Sequence, residues 1–336
     1  MEALREELDA LAAREQFAGV VRVDLPEDRG FAAAYGLADR RCGVANTVDT
    51  RFAIASGAKA FTALTVMREV EEGRLALATP ARSVLGDDLP LIDERVTVQH
   101  LLEHSSGIGD YFDEDAADEI TDYPLTVPVH TLATTEDYLI SLDGFPQLFA
   151  PGERVKYCNG AYVVLALIAG RVSGTPFHEL VETAVCGPAG MSDTAFLRSD
   201  ELPAGTATGY LDPDGMRTNV LHLPVRGSGD GGIYSTAADI TTLWTALMGA
   251  GIVKAATLAT MTQPRWQWAD EDVHYGLGIS IDDASGALMF EGYDAGVSFF
   301  TSHDPARGSA YTVISNTSEG AWPVVTFLHE KQVLAR

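Results

Sequence analysis

Apolar positions along this chain follow two rhythms, and the change between them divides it. From residue 2 to residue 16, Leu4, Leu8 and Leu11 recur at helical spacing with charged residues between them, which predicts an amphipathic helix. Two short apolar runs follow, Gly19 to Leu25 and Phe31 to Leu37, and the Pro26 to Gly30 stretch between them predicts a turn joining two strands. The far end repeats the strand pattern near Gly276 to Ile281, Ala287 to Tyr293, Val297 to Ser302 and Ala310 to Asn316, then closes with a helical stretch from about Trp322 to Leu334. Residues 76 to about 230 alternate helical periodicity with loops. The pattern predicts an α+β fold in which both ends of the chain build one antiparallel sheet of five or six strands, flanked by the terminal helices. A mostly helical lobe, about 76–230, would be inserted into an α/β lobe, about 1–75 plus 231–336, as a single unit with its site at the lobe boundary. No internal repeat or low-complexity linker interrupts this reading.

Lysine usage then points to chemistry. The chain has four lysines, Lys59, Lys156, Lys254 and Lys331, against nineteen arginines, so arginine supplies most of its positive charge. Lys59 needs a separate reason, because a buried ammonium can lose its proton at accessible pH and a guanidinium cannot. Ser56 lies three residues before it and is the natural target of such a base. Ala60, Phe61, Leu64, Met67 and Val70 continue at helical spacing, which places Ser56 at the start of a largely buried helix and Lys59 one turn further on the same face. The plain alternative is a serine cap followed by an unrelated surface lysine. A second segment carries Tyr157 and Asn159, two residues apart and so pointing the same way in extended chain, with Cys158 pointing elsewhere and an apolar run after them. A third, Glu291 to Phe300, reads as strand with a glycine where something approaches the backbone closely.

These segments resemble the serine β-lactamase, penicillin-binding protein and esterase superfamily, in particular its class C-like branch, for which a serine-x-x-lysine motif is an established mark. Further matching stretches are Leu101 to Gly107, Gly190 to Thr194, Gly231 to Thr236 and Tyr275 to Gly278, so the likeness runs from about residue 17 to residue 318. It implies a β-lactamase/transpeptidase-like fold and acyl transfer to water with no metal or organic cofactor. On the same grounds Ser56 is the nucleophile, Lys59 its base, Tyr157 a proton relay, and the backbone N–H groups of Ser56 and Gly296 the oxyanion hole. Asn159 would bond Lys59 or the acyl-side amide of the substrate, and Tyr293 and Asp294 would line the substrate site. The branch usually carries Lys-Thr-Gly or His-x-Gly on the strand beside the nucleophile, whereas this chain aligns there as Tyr293-Asp294-Ala295 followed by Gly296. A cation is lost and an acid gained. Two like charges about 4 Å apart repel by roughly 4 kcal/mol at an effective dielectric near 20, more than the ~1 kcal/mol of an ordinary hydrogen bond, so anionic substrates are expected to be disfavoured unless Arg226 or His303 lies near.

Other signals are weaker. Gly227 to Gly232 matches the dinucleotide glycine pattern formally but opens no βαβ unit, and is read as a tight loop. His104, next to Ser105 and Ser106, is read as part of a turn supporting the site. Trp266 and Trp268 either line a substrate cleft or are rim or core aromatics. The histidines show no zinc spacing, and no serine lies in a nucleophile elbow. A net charge of -25 argues against nucleic acid or anionic membrane as partners. The first residues carry acids and no apolar leader core, and Cys42, Cys158 and Cys186 form no paired motif, so a cytoplasmic protein with reduced, half-buried thiols is expected. The functions in competition are an esterase or amidase on small neutral substrates, a β-lactamase or D-alanyl-D-alanine carboxypeptidase, and a catalytically silent binding protein. The partner in each case is a small ester, amide or lactam.

Overall fold

A computed structural model describes residues 2–114, 119–268 and 272–335. The first helix, α1 (Glu2–Arg14), buries Leu4, Leu8, Leu11 and Ala12 and turns its charges outward. Each buried leucine contributes about 1.5–3 kcal/mol, so the apolar stripe rather than helix propensity holds this element in place.

Eight strands form the main sheet: β1 (Gly19–Asp24), β2 (Phe31–Tyr35), β3 (Trp266–Gln267), β4 (Val273–Tyr275), β5 (Ser280–Asp282), β6 (Leu288–Asp294), β7 (Val297–Asp304) and β8 (Ser309–Ser315). Their order is β2-β1-β8-β7-β6-β5-β4-β3, every neighbouring pair antiparallel. The expected five or six strands become eight because β3 and β4, of two and three residues, are too short for an alternating pattern to register. β7 and β8 are buried along their whole length. Successive residues serve opposite faces: Phe299 and Ile314 join one core, Phe300 and Val313 the other.

The smaller core lies between the sheet and α1 with the closing helix α5 (Ala321–Glu330). The larger lies on the other face, under α2 (Ala58–Glu71), α3 (Asn159–Ser173) and α4 (Ala237–Met248). From 76 to 230 the described chain consists of helices, 3-10 turns and loops with isolated bridges only. A single apolar cluster runs from the sheet through α2 and α3 into that segment. Cys42 is exposed and Cys158 and Cys186 are fully buried, all three free, so none is half-buried as expected.

Candidate active site

The site forms where α2 begins. Ile54 is in the core, Ala55 takes φ +45°, and the chain turns through Ala55–Gly57 into α2. A positive φ at alanine is a strained conformation. It leaves Ser56 half-exposed at the head of the helix while Ala55 and Gly57 on either side are buried. Lys59 is one turn further and only 4% exposed. Its Nζ lies 2.8 Å from Ser56 Oγ, 2.7 Å from Asn159 Oδ1 and 2.7 Å from the Asp230 carbonyl oxygen. Burial lowers the Lys59 pKa from its ordinary value, and the nearby Asp230, Glu114, Asp110 and Asp294 oppose that shift.

Tyr157 and Asn159 approach from the other side, as their shared direction requires. The Tyr157 hydroxyl donates to Ser56 Oγ at 2.7 Å, and Lys59 Nζ sits 4.8 Å from the centre of its ring. Desolvation raises the Tyr157 pKa well above its usual value, the coulombic effect of Glu114 adds to this, and the hydrogen bond to Ser56 works against it. Asn159 begins α3; its Nδ2 donates to the Phe112 carbonyl and to Glu114 Oε1, both at 2.9 Å, which fixes Oδ1 toward Lys59. Cys158 is buried between them, pointing away.

Two residues unremarked or undervalued in the sequence hold this segment. Asp110 receives the N–H groups of Asn159 (2.5 Å), Gly160 (2.8 Å) and Phe112 (3.2 Å), a carboxyl seated on the N-terminus of α3. Burial raises its pKa to about 6 in spite of those bonds. His104, at φ +57°, accepts the Lys156 N–H on its carbonyl (3.0 Å) and the Cys158 N–H on Nδ1 (3.2 Å), so it grips the chain on both sides of Tyr157. Its ring packs 4.7 Å from that of Tyr157. The supporting turn expected at His104 is present. Lys156 pairs with Asp113 at 2.9 Å.

The glycine loop 227–232 runs behind Lys59. The Asp230 carbonyl accepts from Lys59 Nζ and its Oδ2 accepts from the Tyr111 hydroxyl at 2.6 Å, while the Gly229 carbonyl accepts from Thr62 at 2.6 Å. It is a tight loop, as read, and it contributes directly to the site.

The third segment needs correcting by four residues. Gly296 lies in the two-residue turn between β6 and β7 at φ +72°, packed on Gly209 and Tyr210, and its N–H donates to Ser318 Oγ at 2.8 Å. Its amide is therefore engaged away from Ser56, and the structure does not bring it to the nucleophile. Gly292 occupies that place: a Cβ there would fall 2.2 Å from the Ile54 carbonyl oxygen and 3.0 Å from the amide nitrogens of both Ser56 and Gly57. Only glycine fits so close an approach. The strand residues beside Ser56 are thus Glu291, Gly292 and Tyr293, and no cation stands among them.

A cleft of about 510 Å³ opens over Ser56, Lys59 and Tyr157, with Trp268, Tyr293 and Trp322 among its walls. Asp113, Glu114, Glu291 and Glu319 also line it. A smaller cavity of about 60 Å³ reaches Ser56 from the other side and takes in Asn159, Asp230 and Asp294. Burial raises the pKa of Asp294 to about 8, with Glu114 and Asp230 adding to the shift, so near neutral pH this group is mainly uncharged. The expected repulsion by Asp294 falls away, and Glu291 is the acid on the strand that faces the main cleft. Neither Arg226 nor His303 lines either cavity: Arg226 Nε donates to the Phe196 carbonyl and His303 stacks on Trp244. Of the two tryptophans read as cleft or rim, Trp268 lines the cleft and Trp266 does not. No group of three or more metal-ligating side chains occurs among the described residues.

Sequence and structure comparisons agree with one another. The family model described as Beta-lactamase matches residues 4–327. The solved structure of a penicillin-binding protein from Bacillus halodurans superposes with a TM-score of 0.90 at 35% identity, covering 96% of this chain and 99% of that one. Esterase EstB of Burkholderia gladioli is 30% identical over 248 residues, 62% of this chain and 60% of its own length. A D-aminopeptidase of Brucella anthropi is 26% identical over 275 residues, 81% of this chain and 50% of its own.

Proposed function

The chain belongs to the Beta-lactamase family of serine hydrolases, and from that premise we propose that it hydrolyses small uncharged esters or amides through an acyl intermediate on Ser56. The observation that carries this reading is the meeting at one oxygen: Lys59 Nζ at 2.8 Å and the Tyr157 hydroxyl at 2.7 Å from Ser56 Oγ. Asn159 Oδ1 and the Asp230 carbonyl have no proton to give, so a neutral Lys59 keeps its two N–H groups on them and leaves its lone pair for the Ser56 proton. Burial favours that neutral form. Tyr157, held as a phenol, donates to Ser56 Oγ and is placed to pass a proton to the leaving group and to draw one from the attacking water.

Register supports a second oxyanion donor. A two-residue turn closes on a hydrogen-bonded pair, here Asp294 with Val297, and the pairs alternate from there. Gly292 therefore directs its N–H at β7, and Tyr293 directs its own the opposite way, off the edge of β6. The same parity aims Met289 at Ser280 of β5, with which it pairs. The N–H groups of Ser56 and Tyr293 are the donors we assign, each worth about 2.7–4 kcal/mol in comparable sites.

The relatives named include an esterase and an aminopeptidase, which supports ester and amide substrates alike. The carboxylates on the cleft support discrimination against anionic β-lactams. The deciding experiment compares kcat/KM for p-nitrophenyl acetate and butyrate with kcat/KM for a penicillin and a cephalosporin. The esters should be the better substrates, and efficient cephalosporin turnover would reverse the reading.

A further inference from the structure

The loop that gives Lys59 its second acceptor is itself held by side chains from three other segments. The Tyr138 hydroxyl donates to the Arg226 carbonyl at 2.7 Å, His178 Nε2 lies 2.8 Å from the Gly227 carbonyl oxygen, and α2 supplies the Thr62 hydroxyl to the Gly229 carbonyl at 2.6 Å and Lys59 Nζ to the Asp230 carbonyl at 2.7 Å. A carbonyl only accepts, so His178 Nε2 carries the hydrogen. His178 is 7% exposed, its ring 4.7 Å from that of Phe196, and burial with the nearby Arg226 charge lowers its pKa to about 4, so it stays neutral and keeps that tautomer near pH 7. The loop has no slack: a Cβ on Gly227 would fall 2.1 Å from the Gly231 carbonyl oxygen, and one on Gly229 2.1 Å from the Tyr162 carbonyl oxygen. Gly227 and Gly231 thus touch on either side of Asp230, and a shift of Gly227 is passed through close packing to the Asp230 carbonyl.

We propose that His178 is a positioning residue for hydrolysis at Ser56: its hydrogen bond to Gly227 sets the Asp230 carbonyl where it accepts one N–H of Lys59, so that the lone pair of that amine faces Ser56 Oγ. This deepens the hydrolase reading of Ser56 and rests on it. His178 lines neither the cleft nor the smaller cavity, so it acts through the loop and not on the substrate. A carbonyl that accepts from Lys59 favours the ammonium over the amine, because the hydrogen bond to the charged form is the stronger. Loosening the loop therefore leaves two signatures together: a base less well aimed, and a Lys59 that gives up its proton at lower pH. The titratable groups that face Lys59, namely Asp230, Glu114, Asp110, Asp294, Tyr157 and His104, are left in place by a change at His178.

The test compares His178→Phe, which keeps a ring and loses the N–H, with His178→Gln, whose amide nitrogen reaches where Nε2 stands. Turnover of p-nitrophenyl acetate is read beside the melting temperature and an active-site count by fluorophosphonate titration. His178→Phe should lower kcat per active site about tenfold, part of the ~10²-fold that a misplacement near 1 Å costs, with KM within about twofold. The acid limb of its kcat/KM profile should move to lower pH by about 0.5 or more, and His178→Gln should restore both kcat and the limb. Unchanged kcat and limb in His178→Phe, a loss matched by fewer active sites alone, or a His178→Gln as impaired as His178→Phe would overturn the proposal. Should His178→Phe not fold, His178→Asn, whose shorter amide falls short of Gly227, takes its place against His178→Gln. Absence of ester turnover in the unmodified protein would strike the hydrolase reading instead. The ¹³Cε titration of Lys59, one of four lysines, then still decides the His178 assignment: a midpoint at lower pH in His178→Phe upholds it, and an unmoved one removes it.

Discussion

The two walls that face each other across Ser56 are built on opposite principles. On the helix side, Lys59, Asn159, Asp110 and His104 are buried and their bonds interlock: Lys59 Nζ meets three oxygens, Asn159 uses both ends of its amide, and Asp110 collects three backbone N–H groups. A buried polar group left unpaired costs about 1–3 kcal/mol, so this wall tolerates one arrangement only. On the strand side Glu291 and Tyr293 face the open cleft, and the Tyr293 hydroxyl reaches Glu319 at 2.6 Å. Solvent satisfies such groups at little cost, so their identity is open to change without loss of the fold. On the proposed reading, the difference ties proton transfer to the helix wall and leaves the side chains of the strand wall to meet the substrate, while the strand backbone at Gly292 stays fixed against Ser56.

The largest expected effect breaks the helix wall. Lys59→Arg should lower kcat/KM as far as Lys59→Ala does, by about 10²–10⁴-fold, because it keeps the charge and loses the removable proton. In the unmodified protein activity should rise with pH through the lowered Lys59 pKa, below the ordinary 10.5, as the ammonium gives up its proton. A steady-state pH profile of both variants checks this, and retention of most activity in Lys59→Arg would reduce Lys59 to a structural cation.

A paired substitution sharpens the strand side. Gly292→Ala forces a methyl to within 2.2 Å of the Ile54 carbonyl oxygen and displaces β6 from Ser56. A misplacement near 1 Å there should cost about 10²-fold in kcat. Gly296→Ala should cost stability by more than the about 1–2 kcal/mol of its φ of +72°, since its Cβ would also fall 2.8 Å from the Tyr210 amide nitrogen, and should leave kcat per active site within about threefold. Active-site titration with melting curves separates the two, and the reverse order of kcat effects would restore Gly296 to the oxyanion hole.

The last expected effect concerns Asp294 and is read in stability rather than in turnover. Its pKa rises from 3.8 to about 8 on folding, so the folded state holds a proton that the unfolded chain has given up across that range. Its contribution to stability is full below pH 4 and is lost as pH climbs to about 8. Asp294→Asn should therefore gain stability relative to the unmodified protein as pH rises from 5 to 8. Denaturant melts at several pH values read this directly, and a pH-independent difference would place the Asp294 carboxyl in a wetter setting.

Legibility from sequence followed the same division. Ser56, Lys59, Tyr157 and Asn159 were readable because helical spacing and strand alternation are local rules, and the structure brings all four together. Apolar runs marked one sheet edge, β2, five further strands and both terminal helices, while β4 and the other edge, β3, were too short to register. Gly296 is the oxyanion glycine only if Tyr293-Asp294-Ala295 aligns with the branch's strand motif, and the turn at Ala295–Gly296 shows that Gly292 is the glycine that meets α2. Had the hairpin been placed first, its parity would have pointed to Tyr293. Glu114 and Asp110 had no readable signal: in the acidic stretch from Asp110 to Glu119 they look like any solvated face, and their roles arise from contacts about fifty residues away in sequence, at Asn159. Asp230 lay inside the glycine loop already noted, but its use of a backbone carbonyl toward Lys59 leaves no trace in residue type.

The central claim is that Ser56 forms the covalent bond. Intact mass and peptide mapping after exposure to a serine-directed fluorophosphonate test it most directly. The account predicts a single adduct, on the peptide holding Ser56, absent in Ser56→Ala and slowed in Lys59→Arg; an adduct on another serine, or undiminished ester turnover in Ser56→Ala, would contradict it.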